Sequence, residues 1–257
     1  FGSVSTIMLG MFVESLFLGY YQAAFSLVAS LTALFSVSGI FIPVFTQLHG
    51  TRLKNALLKS LRYVFIISIP AAIGLIFVSQ YAILIFYGKE YFPASTALFI
   101  LSFLLLVTPA IEIYSSLFKA KERIKTIPFI VFITLILNII LNYFLITYLL
   151  ESGQNFVILG VAAATVISRS LYLLFLVIST KPFFKIKIPK DSIIKSIFAT
   201  SIMATVLYVY NLYIKINLVT GFLEILLGMV VYVSMMLLIR GIKKEDIDLF
   251  KSFFKKD

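Results

Sequence analysis

The chain has 257 residues, 61% of them hydrophobic and only 13% charged, with no cysteine and one histidine, His49. Soluble domains run about 45–50% apolar and about 25% charged. This composition therefore excludes a soluble globular fold, a disulfide framework and thiolate or histidine-rich metal centres.

Eight hydrophobic segments are predicted, at about 1–18 (partial), 20–46, 63–87, 94–118, 127–149, 156–180, 193–214 and 218–240. Apart from the first, each is long enough to cross a hydrocarbon core of about 30 Å. The fold class expected is all-α, a polytopic transmembrane bundle; a β-barrel would show short alternating segments instead. The chain opens on Phe-Gly-Ser-Val, with neither an initiator Met nor a signal-peptide pattern. It is read as a fragment whose N-terminal part is missing.

The connections carry the charge. Arg52, Lys54, Lys59 and Arg62 lie between the second and third segments, and Lys119, Lys121, Arg123 and Lys125 between the fourth and fifth. Lys181, Lys185, Lys187, Lys190 and Lys195 lie between the sixth and seventh, and Arg240 and five lysines follow the eighth. Of the 22 basic residues only Lys89, Lys215 and Arg169 fall elsewhere. The basic connections alternate, so the positive-inside rule puts them and the C-terminus in the cytoplasm. The net charge of +11 is thereby explained by topology, and no nucleic-acid partner is expected.

Side chains three or four apart share a helix face. The second segment carries Gln22, Ser26 and Ser30 on one face, and the fourth carries Thr108, Glu112, Ser115 and Ser116. On the fifth the stripe is Thr134, Asn138 and Asn142; on the sixth it is Ala162, Thr165, Arg169 and Tyr172. Unsatisfied polar groups in hydrocarbon cost several kcal/mol, so these faces look at other helices or at water. Arg169 and Asn138 both lie roughly 16 Å from the cytoplasmic end, and Glu112 roughly 9 Å, at 1.5 Å per residue. An Arg169–Glu112 pair is within reach if their helices adjoin.

Two readings of Arg169 stand side by side: a buried lock on Glu112 or on helix carbonyls, and a cation in a solvated transport cavity. Asn138 and Asn142 are either cavity residues or interhelical hydrogen-bonding glue. Glu14 and Glu224 fall near the outer ends of their segments, where a carboxylate needs no special account. Prolines 70, 109 and 128 are expected to kink helices. The last two segments, with no central charge, are expected to pack peripherally and shelter lipid. The tail over 241–257 is either an amphipathic helix on an anionic leaflet or a solvated end. The chain shows no nucleophile elbow, Walker loop or metal-ligand cluster, so neither an enzyme nor a cofactor is expected.

Several stretches, taken in order, resemble one family. STIMLGMFVESLFLGYYQAAFSLVASL is similar to the opening of the second half of bacterial and archaeal polysaccharide flippases, and IFIPVFTQL to the close of their next helix. FYGKEYFPASTALFIL resembles their next junction, and YSSLFKAKERIKTIPFIVFITLILNIILNYFLI followed by GVAAATVIS resembles a later run. This resemblance implies the multidrug/oligosaccharidyl-lipid/polysaccharide exporter superfamily, whose members pair two six-helix lobes around a cavity, often with two extra helices. It implies that 1–180 is the C-terminal lobe, that 181–240 holds two added peripheral spans and 241–257 the basic tail, and that an N-terminal lobe is missing.

The cargo so implied is a lipid-linked oligosaccharide, a polyprenyl-pyrophosphate glycan. Arg169 would hold its pyrophosphate, and Asn138, Asn142, Glu112, Gln22 and Ser26 would line its path, among membrane lipids. One departure matters: many relatives carry an aspartate where this chain has Ser5 or Thr6, so that acid's role is not transferred. The rivals are a drug exporter coupled to a cation or proton through Glu112, a peptidoglycan-precursor flippase, and a glycan polymerase or ligase.

Overall fold

The computed structural model describes residues 2–34, 38–122, 125–181, 190–214 and 217–241, and among them there is no strand. In chain order the helices are α1 (Gly2–Gly10), α2 (Ser15–Leu34), α3 (Ser38–Gln47), α4 (Gly50–Tyr87), α5 (Ala94–Leu101), α6 (Leu104–Ala120), α7 (Thr126–Leu149), α8 (Gln154–Thr180), α9 (Lys190–Tyr213) and α10 (Leu218–Leu238). Seven stretches are long and apolar enough to cross a membrane: α2, α4, α5–α6 together, α7 with the short turn after it, α8, α9 and α10. The protein is a multi-pass membrane bundle.

The second predicted segment, 20–46, is instead α2, which begins at Ser15, and α3; three further boundaries differ from the sequence reading, each for a local reason. The partial first segment is α1, nine residues long and so only about 13 Å. It stops because the chain turns at Met11–Glu14: the Glu14 carbonyl takes the N–H groups of Phe17 and Leu18, and the Glu14 N–H donates to Gln154 Oε1 at 2.9 Å. The third segment begins at Gly50 rather than 63, because Leu53, Leu57 and Leu61 recur at helical spacing and are all buried. The cations Arg52, Lys54 and Lys59 ride on that helix rather than on a loop. The fourth segment is divided at Ser102–Phe103 into α5 and α6.

The lobe α1–α8 has two apolar cores. One joins Leu9, Tyr21, Leu75, Leu98, Ile146 and Val161 towards the end that is poor in basic residues. The other joins Leu53, Leu61, Ile113, Ile130, Tyr172 and Leu176 towards the basic end. The buried face of α7 runs through both: Ile130, Thr134, Asn138, Asn142 and Ile146, one every four residues. Its outward residues are apolar, with Phe129, Phe132, Ile140 and Phe144 exposed. That inversion, polar inside and apolar outside, suits a helix whose solvent is lipid and whose helix contacts rest on packing and hydrogen bonds. Gly160 of α8 lets the partner helix come close, since a Cβ there would stand 2.6 Å from Leu149 Cδ1.

The α9–α10 hairpin packs on α4 through a third, smaller cluster of Ala199, Met203, Leu207, Tyr232 and Met236. Pro70 in α4 cannot donate to the carbonyl four residues back, that of Ile66. The Tyr232 hydroxyl of α10 donates to that carbonyl at 2.6 Å and also hydrogen-bonds with Ser196 of α9 at 3.0 Å. The proline thus opens an acceptor that the hairpin fills. Further along, Tyr81 hydrogen-bonds with Thr220 at 3.0 Å, and Arg62 Nη2 donates to the Gly241 carbonyl at 3.2 Å. Pro128 is the third residue of α7, where no intrahelical N–H is needed. The tail beyond Gly241 lies outside the described residues, so neither reading of it meets the structure.

Candidate functional site

Between the two apolar cores of the lobe lies a knot of neutral polar side chains. Ser5 of α1 is its hub: it accepts from Asn142 Nδ2 at 3.0 Å, and its one proton is shared between Asn138 Oδ1 at 3.3 Å and Thr165 Oγ1 at 3.1 Å. Asn142 Nδ2 also donates to Asn138 Oδ1 at 3.1 Å, and Asn138 Nδ2 donates to Ser168 at 3.2 Å. Tyr21 of α2 hydrogen-bonds with Thr165 at 3.1 Å, while Thr165 donates to the Val161 carbonyl at 2.9 Å. Ser5, Asn138, Asn142, Thr165 and Ser168 are all fully buried. The knot therefore fastens α1, α2, α7 and α8 to one another. Of its atoms, Asn142 Oδ1 is enclosed without a hydrogen-bond partner.

This geometry separates the six residues singled out by sequence. Asn138 and Asn142 have no exposed surface and hydrogen-bond across helices, an arrangement consistent with interhelical glue. Gln22 is exposed on α2; it accepts from Thr6 at 3.3 Å and donates to Ser26 at 3.5 Å. Thr6, Gln22 and Ser26 form a polar edge on the open side of α1 and α2. Arg169 is half-buried on α8, next in sequence to the knot's Ser168 and one turn beyond Thr165. Glu112, on α6, is half-buried with its Oε2 enclosed and without a hydrogen-bond partner.

The Arg169–Glu112 pair does not form: among the described residues the ion pair present is Lys195–Asp191, one turn apart on α9. The Arg169 side chain does not bridge the difference in depth to Glu112. No group of three or more His, Cys, Asp or Glu that could hold a metal occurs among the described residues.

Two groups escaped the sequence reading. Tyr21 and Ser168 complete the knot, and Ser168 could have been found three residues after Thr165 on the same face. Glu224 is the larger correction. It is not interfacial but fully buried, six residues into α10, and accepts from Asn211 Nδ2 at 2.8 Å. Close packing explains its burial: Gly221, one turn earlier, lies against the Tyr81 ring, where any Cβ would collide. Glu14 is exposed, as expected, and accepts from Gln154 Nε2 at 3.3 Å.

Comparison with known proteins agrees with the resemblance read from the motifs. Residues 1–96 match the family model described as polysaccharide biosynthesis protein. The probable low-salt glycan biosynthesis flippase Agl15 of Haloferax volcanii is 26% identical over 244 residues, covering 92% of this chain and 50% of that protein. Among solved structures, the lipid II flippase MurJ in its inward closed conformation superposes with a TM-score of 0.77 at 24% identity, over 93% of this chain and 50% of that one. The chain spans about half the length of these relatives, and the fold and motifs resemble flippases of the exporter superfamily.

Proposed function

We infer that this chain is one lobe, the C-terminal one, of a flippase that moves a lipid-linked oligosaccharide across the cell membrane, with the basic ends of the helices in the cytoplasm. The observation that carries this reading is Arg169, a half-buried guanidinium in the middle of α8, set beside a neutral knot and apart from Glu112. A guanidinium held at that depth is a fixed positive charge for an anionic cargo to meet. A pyrophosphate offers what a guanidinium binds best, two oxygens in the plane of its fork.

The remaining parts take roles by their exposure. Gln22, Ser26 and Thr6 present amide and hydroxyl groups along the open edge of α1 and α2, which suits contact with sugar hydroxyls in a cavity shared with a second lobe. The knot makes α1, α2, α7 and α8 one rigid body, the kind of unit that rocks in alternating access. Among related cargoes, a polyprenyl-pyrophosphate glycan is favoured over a peptidoglycan precursor by the Agl15 likeness, since the MurJ likeness concerns the fold. Coupling to a cation or proton through Glu112 is the second reading, favoured by the enclosed, unanswered Oε2.

The test is glycan export in a strain lacking its own flippase, complemented with the full-length protein. Restored surface glycan is expected, and none from a normally inserted Arg169→Ala protein; full export by that variant would overturn the assignment. Orientation is read separately. Cysteines at Lys54 and Lys121 should resist an impermeant reagent applied to intact cells, and one at Lys89 should react.

A further inference from the structure

A second polar site lies away from the knot, at the end of the bundle that is poor in basic residues. There α4, α5, α8 and α9 line an open-sided cavity of about 770 Å³, within the range of small-molecule sites. Gln80, one of its walls, lies seven residues before the end of α4, so the cavity reaches about 10 Å below the helix ends.

Two of its hydroxyls are committed as donors. Ser95 Oγ donates to the Phe92 carbonyl at 2.7 Å, and Thr96 Oγ1 to the Pro93 carbonyl at 2.8 Å. A hydroxyl has one proton, so both side chains can only accept from anything in the cavity. Asn211 commits one N–H to Glu224 and keeps its carbonyl oxygen and its second N–H. Gln80 adds a further amide, with an acceptor oxygen and N–H donors, and Phe77 and Phe99 add aromatic faces; among the described residues no lining residue is basic. Behind Asn211 stands Glu224, wholly buried, with Oε2 lacking a hydrogen-bond partner. No ion pair reaches it among the described residues.

Acceptors, ring faces and a carboxyl without a counter-ion call for a donor-rich cation. A hydrated inorganic ion would have to shed its water at this depth and would leave most of the volume unfilled. An ammonium group donates to oxygens and lies favourably over aromatic rings. Of the lining side chains, Phe99 is 47% exposed, which suits a ligand that brings hydrocarbon with it. We propose that the cavity between α4, α5 and α9 binds the ammonium headgroup of an amine-bearing membrane lipid, with Asn211 as the contact and Glu224 as the buried counter-charge behind it. This site is independent of what the Arg169 side of the lobe carries.

The experiment uses the purified full-length protein in detergent, with lipid binding read by native mass spectrometry. The probes are dioleoylphosphatidylethanolamine, dioleoylphosphatidylglycerol and free ethanolamine. At least tenfold tighter binding of the phosphatidylethanolamine is expected, with no saturable binding of ethanolamine. Glu224→Gln should reduce the preference to less than threefold. Thr96→Lys, at an exposed position that tolerates the change, should abolish it by filling the site with a fixed cation. It decides the matter if Glu224→Gln does not fold. Equal binding of the two lipids, or an unchanged preference in Thr96→Lys, would overturn the site. Saturable binding of ethanolamine alone would assign it to free amines and overturn the lipid.

Discussion

In the α1–α8 lobe, the most deeply buried polar side chains are neutral and answer one another across four helices. In the α9–α10 hairpin, the buried polar side chains include a carboxyl, Glu224, with one amide donor and one oxygen unanswered. The lobe's knot is redundant, because Asn142 reaches both Ser5 and Asn138, and Thr165 reaches Ser5, Tyr21 and its own helix. The hairpin is held on α4 by its apolar cluster and by separate hydrogen bonds at Ile66, Tyr81 and Arg62 rather than by a shared network. Polar groups that satisfy one another build a rigid body, whereas a polar group left partly unsatisfied marks a place where something else binds. We propose that the lobe meets its cargo beside the knot, at Arg169, rather than within it.

The sharpest way to break this contrast is at Arg169. If it were only a lock, Arg169→Glu with Glu112→Arg would exchange the charges and Arg169→Lys would keep much of the function. The structure has no Arg169–Glu112 pair for the exchange to preserve. Arg169→Ala should abolish export and Arg169→Lys should weaken it strongly, by loss of the bidentate fork. The exchange should restore nothing, with membrane levels unchanged in all three. Export recovered by the exchange variant would return Arg169 to a structural role.

Next in size is the docking of the hairpin. A leucine at Gly221 must push aside the Tyr81 ring, which already lies where a Cβ would go. Overpacking of this kind costs about 1–3 kcal/mol, concentrated here on the α4–α10 contact. Gly221→Leu should lower the melting temperature in detergent and expose the hairpin to protease, leaving the lobe as the resistant fragment. A wild-type digestion pattern would mean that the hairpin is not the weaker-held part.

These contrasts also show what could be read from the sequence. The stripe Thr134–Asn138–Asn142 was legible because four-residue spacing survives any error in helix ends, and burial in the structure follows it residue for residue. The role of the stripe was not legible, since spacing names a face and says nothing of what the face meets. Glu224 was misread for the complementary reason. Counting residues from a segment end gives depth, but burial depended on Gly221 and Gly228, small residues that bring α10 against Tyr81 of α4 and Leu207 of α9. The start of α4 was hidden by its charges: Arg52, Lys54 and Lys59 read as a loop, while Leu53, Leu57 and Leu61 between them set a helix. Tyr232 was invisible until Pro70 and Ile66 were seen to leave a carbonyl for it.

That carbonyl gives a smaller test. Tyr232→Phe keeps the ring in its cluster and removes only the hydroxyl, stranding the Ile66 acceptor that Pro70 cannot serve. The expected loss is about 1–2 kcal/mol, seen as a lower melting temperature with lipid preference and export retained. Replacing Pro70 by alanine in the same protein restores an N–H to the Ile66 carbonyl and should recover part of that loss. No recovery would show that the hydroxyl matters through Ser196 instead.

The smallest effect is expected at the hub of the knot. Ser5→Ala deletes every side-chain hydrogen bond that joins α1 to α7 and α8 within the knot. Interhelical hydrogen bonds in membranes nevertheless average only about 0.6 kcal/mol, and the partners of Ser5 do not become orphans. Asn142 Nδ2 keeps Asn138 Oδ1, and Thr165 keeps Tyr21 and the Val161 carbonyl. The loss should therefore be about 1 kcal/mol or less, smaller than for Tyr232→Phe although more contacts vanish, and export should continue. Asn138→Leu is the control without redundancy. It removes the Asn138 donor to Ser168 and forces a bulkier side chain into a fully enclosed position, so its melting temperature should fall well below that of Ser5→Ala. If the two variants fell equally, the knot would be a chain of single contacts like those of the hairpin, and the contrast between the two regions would not hold.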